Sequence, residues 1–356
     1  MRIAQVAPLY ESVPPKLYGG TERIVSYLTE ELVAQGHEVT LFASGDSLTK
    51  ANLVPICPTA LRLNPECIDP LAHHLLMLQS VLSRRDDFDI IHFHVDYLHF
   101  PLSRSVEWTT LTTLHGRLDI PDLAPLYREF SDMPVSSISD AQREPLPWLN
   151  WRGTIYHGLP GTIYEFSAKP KGYLAFLGRM SPEKGPERAI EIAKRVGMPI
   201  KIAAKVDKVD VEYFNGCVKP LLNHPLVEFL GEVGYPQKNE LLGGADALLF
   251  PICWPEPFGI VMIEALACGT PVIAYPSGSV SEVIEDGVSG LVVPDIGSAV
   301  EAVRNIDSID RAMCRQRFDD RFTATRMSAE YLNLYEALLR RQHGEPLSTS
   351  DGVPIG

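Results

Sequence analysis

"RIAQVAPLYESVPPKLYGGTERIVSYLTEELVAQGHEVTLFAS", residues 2–44, decides the fold. Its opening "RIAQVAP" is a short β-rich run. In "TERIVSYLTEELVAQG" the residues Ile24, Val25, Leu28, Leu32 and Val33 recur at helical spacing, and Gly36 sits where a helix stop belongs. "HEVTLFAS" then reads as a second strand. Strand, helix and strand within this length form a βαβ unit, which implies parallel pairing.

The same style continues along the chain. "FDIIHFHV", "TTLTTLHG", "VSSIS" and "GTIYHG" read as further strands, and "GTIYEFSAKPK" (161–171) reads as a linker. The pattern then restarts with "GYLAFLGR" as a strand and "PERAIEIAKRVG" as a helix with Pro186 in its first turn. "PIKIAAKV", "LVEFLGEV", "ADALLFP", "TPVIAYP" and "SGLVVP" supply more short strands. The expected architecture is α/β, with two Rossmann-like doubly wound domains facing across a cleft. They cover residues 1–165 and 166–324. In "RFTATRMSAEYLNLYEALLRRQ", Met327, Tyr331, Leu334, Tyr335 and Leu338 make one apolar stripe. By pattern alone this helix closes the second domain. Residues 343–356 lack periodicity and read as a flexible tail.

Composition narrows the function. A length of 356 residues favours two domains over one large barrel, and 45% hydrophobic content suffices for a sizeable core. No stretch approaches the roughly 20 apolar residues of a membrane span. The first residues carry no signal-peptide pattern, so a cytoplasmic location is expected. The six cysteines show no C-x-x-C pair or zinc spacing. A net charge of −13 argues against nucleic acid as partner, yet leaves room for a local basic site and for peripheral membrane contact.

Open α/β sheets bind ligands beyond the C-terminal ends of their strands, and the candidate residues collect there. In "FLGRMSPEKG" (176–185), Gly178 permits close backbone approach. Arg179 and Lys184 can clamp a diphosphate, the guanidinium on two oxygens and the ammonium as a point charge. In "EPFGIVMIEALACG" (256–269) a helix is expected to start near Phe258 or Gly259. The N–H groups of Gly259, Ile260 and Val261 would then face an anion. Glu264, among apolar neighbours, needs hydrogen-bond donors such as a ribose diol. Glu256 is placed for the hydroxyls of a sugar beyond the diphosphate. Period two puts His92, His94 and Asp96 on one strand face. That raises a metal site, but sheet packing is the better reading.

Together "EPFGIVMIEALACGTPVIAYPSGSVSEVIEDGVSGLVV", "FLGRMSPEKG" and "APLYESVPPKLYGGTERIVSYLTEEL" resemble the motifs of family-four retaining glycosyltransferases with the GT-B fold. "GGTER" and "NWRGTIYHGLP" resemble a bacterial subgroup described as pterin glucosyltransferases. The resemblance implies transfer of a hexose from a nucleotide-diphosphate sugar, UDP-glucose first and GDP-mannose next, to a small-molecule or glycan acceptor. It implies no metal or other cofactor. Arg179 and Lys184 become diphosphate ligands, Glu264 the ribose ligand and Glu256 the ligand of the donor sugar. Gly19 and Gly20 approach the donor phosphate, and Val233 meets the base within "GEVGY". His115 is the histidine beside the donor sugar, while Asp96 and Trp148 are acceptor candidates. The resemblance also has the helix over about 325–342 cross back onto the first domain. The rival readings are a non-hydrolysing nucleotide-sugar epimerase and a non-catalytic nucleotide-sugar-binding protein. A nicotinamide dehydrogenase is disfavoured because no G-x-G-x-x-G follows the first strand.

Overall fold

The computed structural model describes residues 1–342; the tail expected over 343–356 lies outside the described residues. Two parallel sheets carry the molecule. The first contains β1 (Arg2–Val6), β2 (Glu38–Ala43), β3 (Asn52–Pro55), β4 (Ile90–Phe93), β5 (Thr110–Thr113), β6 (Val135–Ser137) and β7 (Trp151–Thr154), in the order β3-β2-β1-β4-β5-β6-β7. The second contains β8 (Leu174–Arg179), β9 (Ile200–Lys205), β10 (Val227–Gly231), β11 (Ala247–Phe250), β12 (Val272–Ala274) and β13 (Gly290–Val292), in the order β10-β9-β8-β11-β12-β13.

The opening βαβ unit is real. β1 pairs in parallel with β2, Ile3 opposite Val39, and the Gly20–Ala34 helix crosses between them. That helix buries Ile24, Val25, Leu28 and Leu32, the residues of its apolar stripe. Gly36 ends the turn with φ 85°. In each sheet the winding reverses once, between β1 and β4 and between β8 and β11. At such a reversal neighbouring connections leave in opposite directions and open a crevice at the strand ends.

Three local readings need correction. The last strand of the first sheet is Trp151–Thr154, not residues 153–158. The Trp151 indole N–H donates to the Leu146 carbonyl at 2.9 Å, and Val135 takes Trp151 as its ladder partner. β3 was not anticipated; it is a half-exposed edge strand without apolar alternation. The helix Ala324–Gln342 does not simply close the second sheet. Its Tyr331 and Tyr335 hydroxyls bond Thr113, Gln5 and His92 beneath the first sheet, and Ser328 accepts from Gln35.

The segment 161–171 is more than a linker, because two arginines of the Arg311–Arg321 helix hold it. Arg311 donates to the carbonyls of Ser167, Ala245 and Gly243 and to the Thr270 hydroxyl, all within 2.9 Å. Arg315 donates to the carbonyls of Gly161, Tyr164 and Ala267. Removing one such hub strands several half-buried carbonyls. Arg311→Met should therefore cost about 3 kcal/mol. Urea unfolding followed by tryptophan fluorescence should show a lowered midpoint with an unchanged slope.

Candidate active site

The two reversals face one cleft of about 650 Å³, lined from both sheets. β8 ends at Arg179, on the cleft. Its guanidinium pairs with Glu183, and its Nε lies 3.0 Å from Asp210 without hydrogen-bond alignment. Lys184 follows in a tight turn closed by Gly185 at φ 67°, where an added Cβ would sit 2.5 Å from the Pro251 carbonyl oxygen. The Lys184 ammonium is ion-paired with Glu256 and lies 4.8 Å from the centre of the Trp254 ring.

The helix after β11 runs Ile260–Ala267, starting just beyond the expected point. Gly259 precedes it at φ 76°, and a Cβ there would come within 2.7 Å of Met262 Cε. No side chain caps this start, so its first N–H groups remain available to an anion. Phe258, Gly259, Ile260 and Val261 all line the cleft.

Each glutamate has its own support. Glu256 accepts from the Trp254 indole N–H at 3.0 Å as well as from Lys184. Its loop is gripped from behind by "SGS" (277–279). The Ser279 N–H donates to the Glu256 carbonyl, the Ser279 hydroxyl to the Phe258 carbonyl, and the Ser277 hydroxyl to the Trp254 carbonyl. Gly278 lies so close that a Cβ would be 2.3 Å from the Glu256 oxygen. Glu264 is 2% exposed and is not waiting alone for a ligand. Its Oε1 accepts from the Tyr164 hydroxyl at 2.7 Å and from Lys238 at 3.3 Å, while Oε2 takes no hydrogen bond among the described residues.

The opposite wall comes from the first sheet. Gly19 is required by its own loop, since a Cβ would press within 2.7 Å of Pro15; Gly20 instead faces Ile260 across the cleft, with a Cβ position 3.4 Å from its Cδ1. The Tyr18 N–H donates to Glu232 at 3.1 Å, bringing this loop beside Val233. Asp96 has φ 49°, which ends the strand alternation and turns the chain into the cleft lining. Burial raises its carboxyl to about 6, although the His115 backbone N–H bonds it. His115 lines the cleft, and burial pushes its imidazole down to about 3.

Trp148 is not brought to the cleft; it stands on the surface with Arg128 5.1 Å from its ring centre. His92 and His94 are both consumed by protein hydrogen bonds, and no group of three or more metal-ligating side chains occurs among the described residues. Sequence reading missed Arg23, Tyr164, Lys205 and Lys238. Arg23, Lys205 and Lys238 line the cleft, and Tyr164 lies behind it on Glu264. Arg23 stands in the quoted "GGTER", and Lys205 closes β9 beside Arg179 in the ladder, so both carried a usable signal. Tyr164 carried none, because its partner lies 100 residues away.

Two facing doubly wound sheets, with an uncapped helix start and two buried glutamates in the cleft between them, are the architecture of the GT-B fold. Comparison with known proteins names the family. The Glycosyltransferase Family 4 model matches residues 18–153, and the model for glycosyl transferases group 1 matches residues 165–314. The chain belongs to the family-four glycosyltransferases. It is 26% identical to the phosphatidyl-myo-inositol mannosyltransferase of Mycobacterium tuberculosis over 89% of this chain and 90% of that one. It is also 26% identical to an uncharacterized glycosyltransferase of Methanocaldococcus jannaschii over 82% of this chain and 85% of the relative. The sucrose-phosphate synthase structure from Thermosynechococcus elongatus superposes with a TM-score of 0.78 at 19% identity, covering 96% of this chain and 99% of that one. AviGT4, from avilamycin A biosynthesis, gives 0.71 at 22% identity over 95% and 98%.

Glu22, in the first turn after the glycine pair, is 6% exposed, and burial raises its carboxyl to about 7. An acid whose folded value lies above its unfolded one binds its proton more tightly when folded. That contribution is complete below about 4.5 and is lost as pH rises through about 7. Glu22→Gln should accordingly stabilise the protein at pH 8 by roughly 1–3 kcal/mol. The difference in Tm from wild type should shrink toward zero below pH 5, as calorimetric scans across that range would record.

Proposed function

We propose that this glycosyltransferase moves a hexosyl group from a nucleotide-diphosphate sugar to an acceptor hydroxyl with retention at the anomeric carbon. UDP-glucose is the favoured donor and GDP-mannose the next. One observation carries the reading: a single cleft brings Arg179, Lys184 and an uncapped helix start together with the buried carboxylates of Glu256 and Glu264. In this reading the diphosphate sits among Arg179, Lys184 and the N–H groups at Ile260 and Val261. The Glu264 carboxylate takes the ribose hydroxyls, with Tyr164 and Lys238 holding it in place. The backbone at Val233 meets the base. Glu256 takes hydroxyls of the donor sugar, Gly20 lets the first domain approach it, and His115 lines its other side. Asp96 faces the acceptor.

The chemistry follows from charge. Lys184 is ion-paired with Glu256. A bound diphosphate offers the ammonium a stronger partner and frees the Glu256 carboxylate for sugar hydroxyls. As the glycosidic bond breaks, negative charge grows on the leaving diphosphate. Arg179, Lys184 and the helix start line the same cleft, where the cations, once drawn from Glu183 and Glu256, would stabilise that charge. Protein cations supply the positive charge, and the reading calls on no metal cofactor. Retention rests on the family resemblance. The mannosyltransferase relatives keep a mannosyl donor as the second choice. Six unpaired cysteines suit a reducing, cytoplasmic setting.

Purified protein incubated with UDP- and GDP-sugars and with candidate acceptors, including a reduced pterin and simple sugars, should release one nucleotide and yield a new α-glycoside by mass spectrometry and proton NMR. Arg179→Ala and Lys184→Ala should each lower turnover at least a hundredfold while circular dichroism stays unchanged. Donor converted to its epimer without acceptor would replace this reading by the epimerase. Full turnover in both variants would remove the phosphate assignment.

A further inference from the structure

Behind the cleft lies a buried hydrogen-bond network that reaches His115. Gln5, in the middle of β1, is fully buried. Its Nε2 donates to the Tyr335 hydroxyl at 3.2 Å, and its Oε1 lies 2.8 Å from His94 Nε2. His94 Nδ1 is 2.9 Å from His115 Nε2. On the other branch the Tyr335 hydroxyl is 2.6 Å from His92 Nδ1, and His92 Nε2 is 2.7 Å from the Thr113 hydroxyl. Of the six imidazole nitrogens in His92, His94 and His115, the buried His115 Nδ1 is the one left without a protein partner.

These contacts leave two ways to place the protons, and they reverse together. Burial keeps all three imidazoles neutral, so each carries one proton. With the amide as it stands, Oε1 can only accept, so His94 holds its proton on Nε2 and presents a bare Nδ1. His115 must then donate from Nε2, which leaves its own Nδ1 as a lone pair. Turning the Gln5 amide over would put the proton on His94 Nδ1 and on His115 Nδ1. That nitrogen would become a buried donor with no acceptor, a worse outcome than an unfilled lone pair. Tyr335 supplies the acceptor that keeps the amide from turning.

We infer that Gln5 is a positioning residue: acting through His94 and steadied by Tyr335, it fixes His115 in the Nε2–H tautomer, so that Nδ1 meets a donor-sugar hydroxyl as an acceptor. The inference rests on the glycosyltransferase reading of the cleft for its last step only. Gln5 and Tyr335 do not line the cleft. His157, stacked on His115 at 5.3 Å, and Asp96, bonded to the His115 backbone, are its other titratable neighbours, and neither occupies Nδ1.

The test is the tautomer itself, read from long-range nitrogen–proton couplings in protein labelled with 15N-histidine. Wild type should show His115 protonated on Nε2 alone. Gln5→Met, which keeps the volume, and Tyr335→Phe, which keeps the ring, should both move it to a mixture of tautomers. Each should lower kcat/KM for the donor sugar about tenfold, the worth of one well-made hydrogen bond. Affinity for the free nucleotide should stay within twofold, which damage to the fold would not allow. A wild-type His115 protonated on Nδ1, a tautomer unmoved in both variants, or a moved tautomer with unchanged kcat/KM would each overturn the inference. Absence of any transfer by wild type would instead count against the proposed function, and the couplings would still report on Gln5.

Discussion

The ion pair between Lys184 and Glu256 ties together two loops of the cleft. Both side chains are largely out of solvent, 18% and 9% exposed, and a charge so placed is costly unless matched. Lys184 comes from the loop after β8, and Glu256 comes from the loop after β11, its neighbour across the winding reversal. The sheet therefore brings a cation and an anion face to face where a polyanionic ligand would have to part them. Everything around the pair serves to hold it: the Gly185 turn behind the lysine, the indole of Trp254, and the "SGS" clamp behind Glu256.

A parallel sheet puts all its strand C-termini on one edge, so loops that are distant in sequence share one rim. Two such rims opposed give a cleft with different chemistry on its walls. The second sheet supplies Arg179, Lys184, Glu256 and Glu264, and the first supplies the Gly19–Gly20 loop, Asp96 and His115. The C-terminal helix passes under the first sheet and sends Tyr331 and Tyr335 into its interior. The chain end thus helps order a wall that its own sequence position would not associate with it.

Much of this was legible from the amino acids. Local period gave the βαβ unit, most strands of both sheets and the helix that buries Glu264, because those elements follow apolar spacing and glycine stops. That Arg179, Lys184, Glu256 and Glu264 share one cleft was legible because charged side chains at strand ends have few structural uses. What escaped depends on long-range contacts. β3 is an edge strand with one paired side, so nothing in its own residues demands alternation. The β7 boundary shifted because one tryptophan found a carbonyl five residues back. Tyr164 looked like linker until the fold set it on Glu264. Trp148 looked like an acceptor wall by aromaticity alone, and its place under Arg128 is surface packing. The orientation of the C-terminal helix could not come from its stripe, which fits either sheet equally well.

The account makes Glu264 the ligand of a nucleotide ribose, with Arg179 and Lys184 on the adjoining phosphates. The most direct check is calorimetric titration of UDP, GDP, ADP and dTDP into wild type and into Glu264→Gln at fixed ionic strength. The account predicts that one of these nucleotides binds clearly more tightly than the rest, and that its affinity falls roughly ten- to a hundredfold in the variant. Binding of none of them, or equal affinity in both proteins, would contradict it.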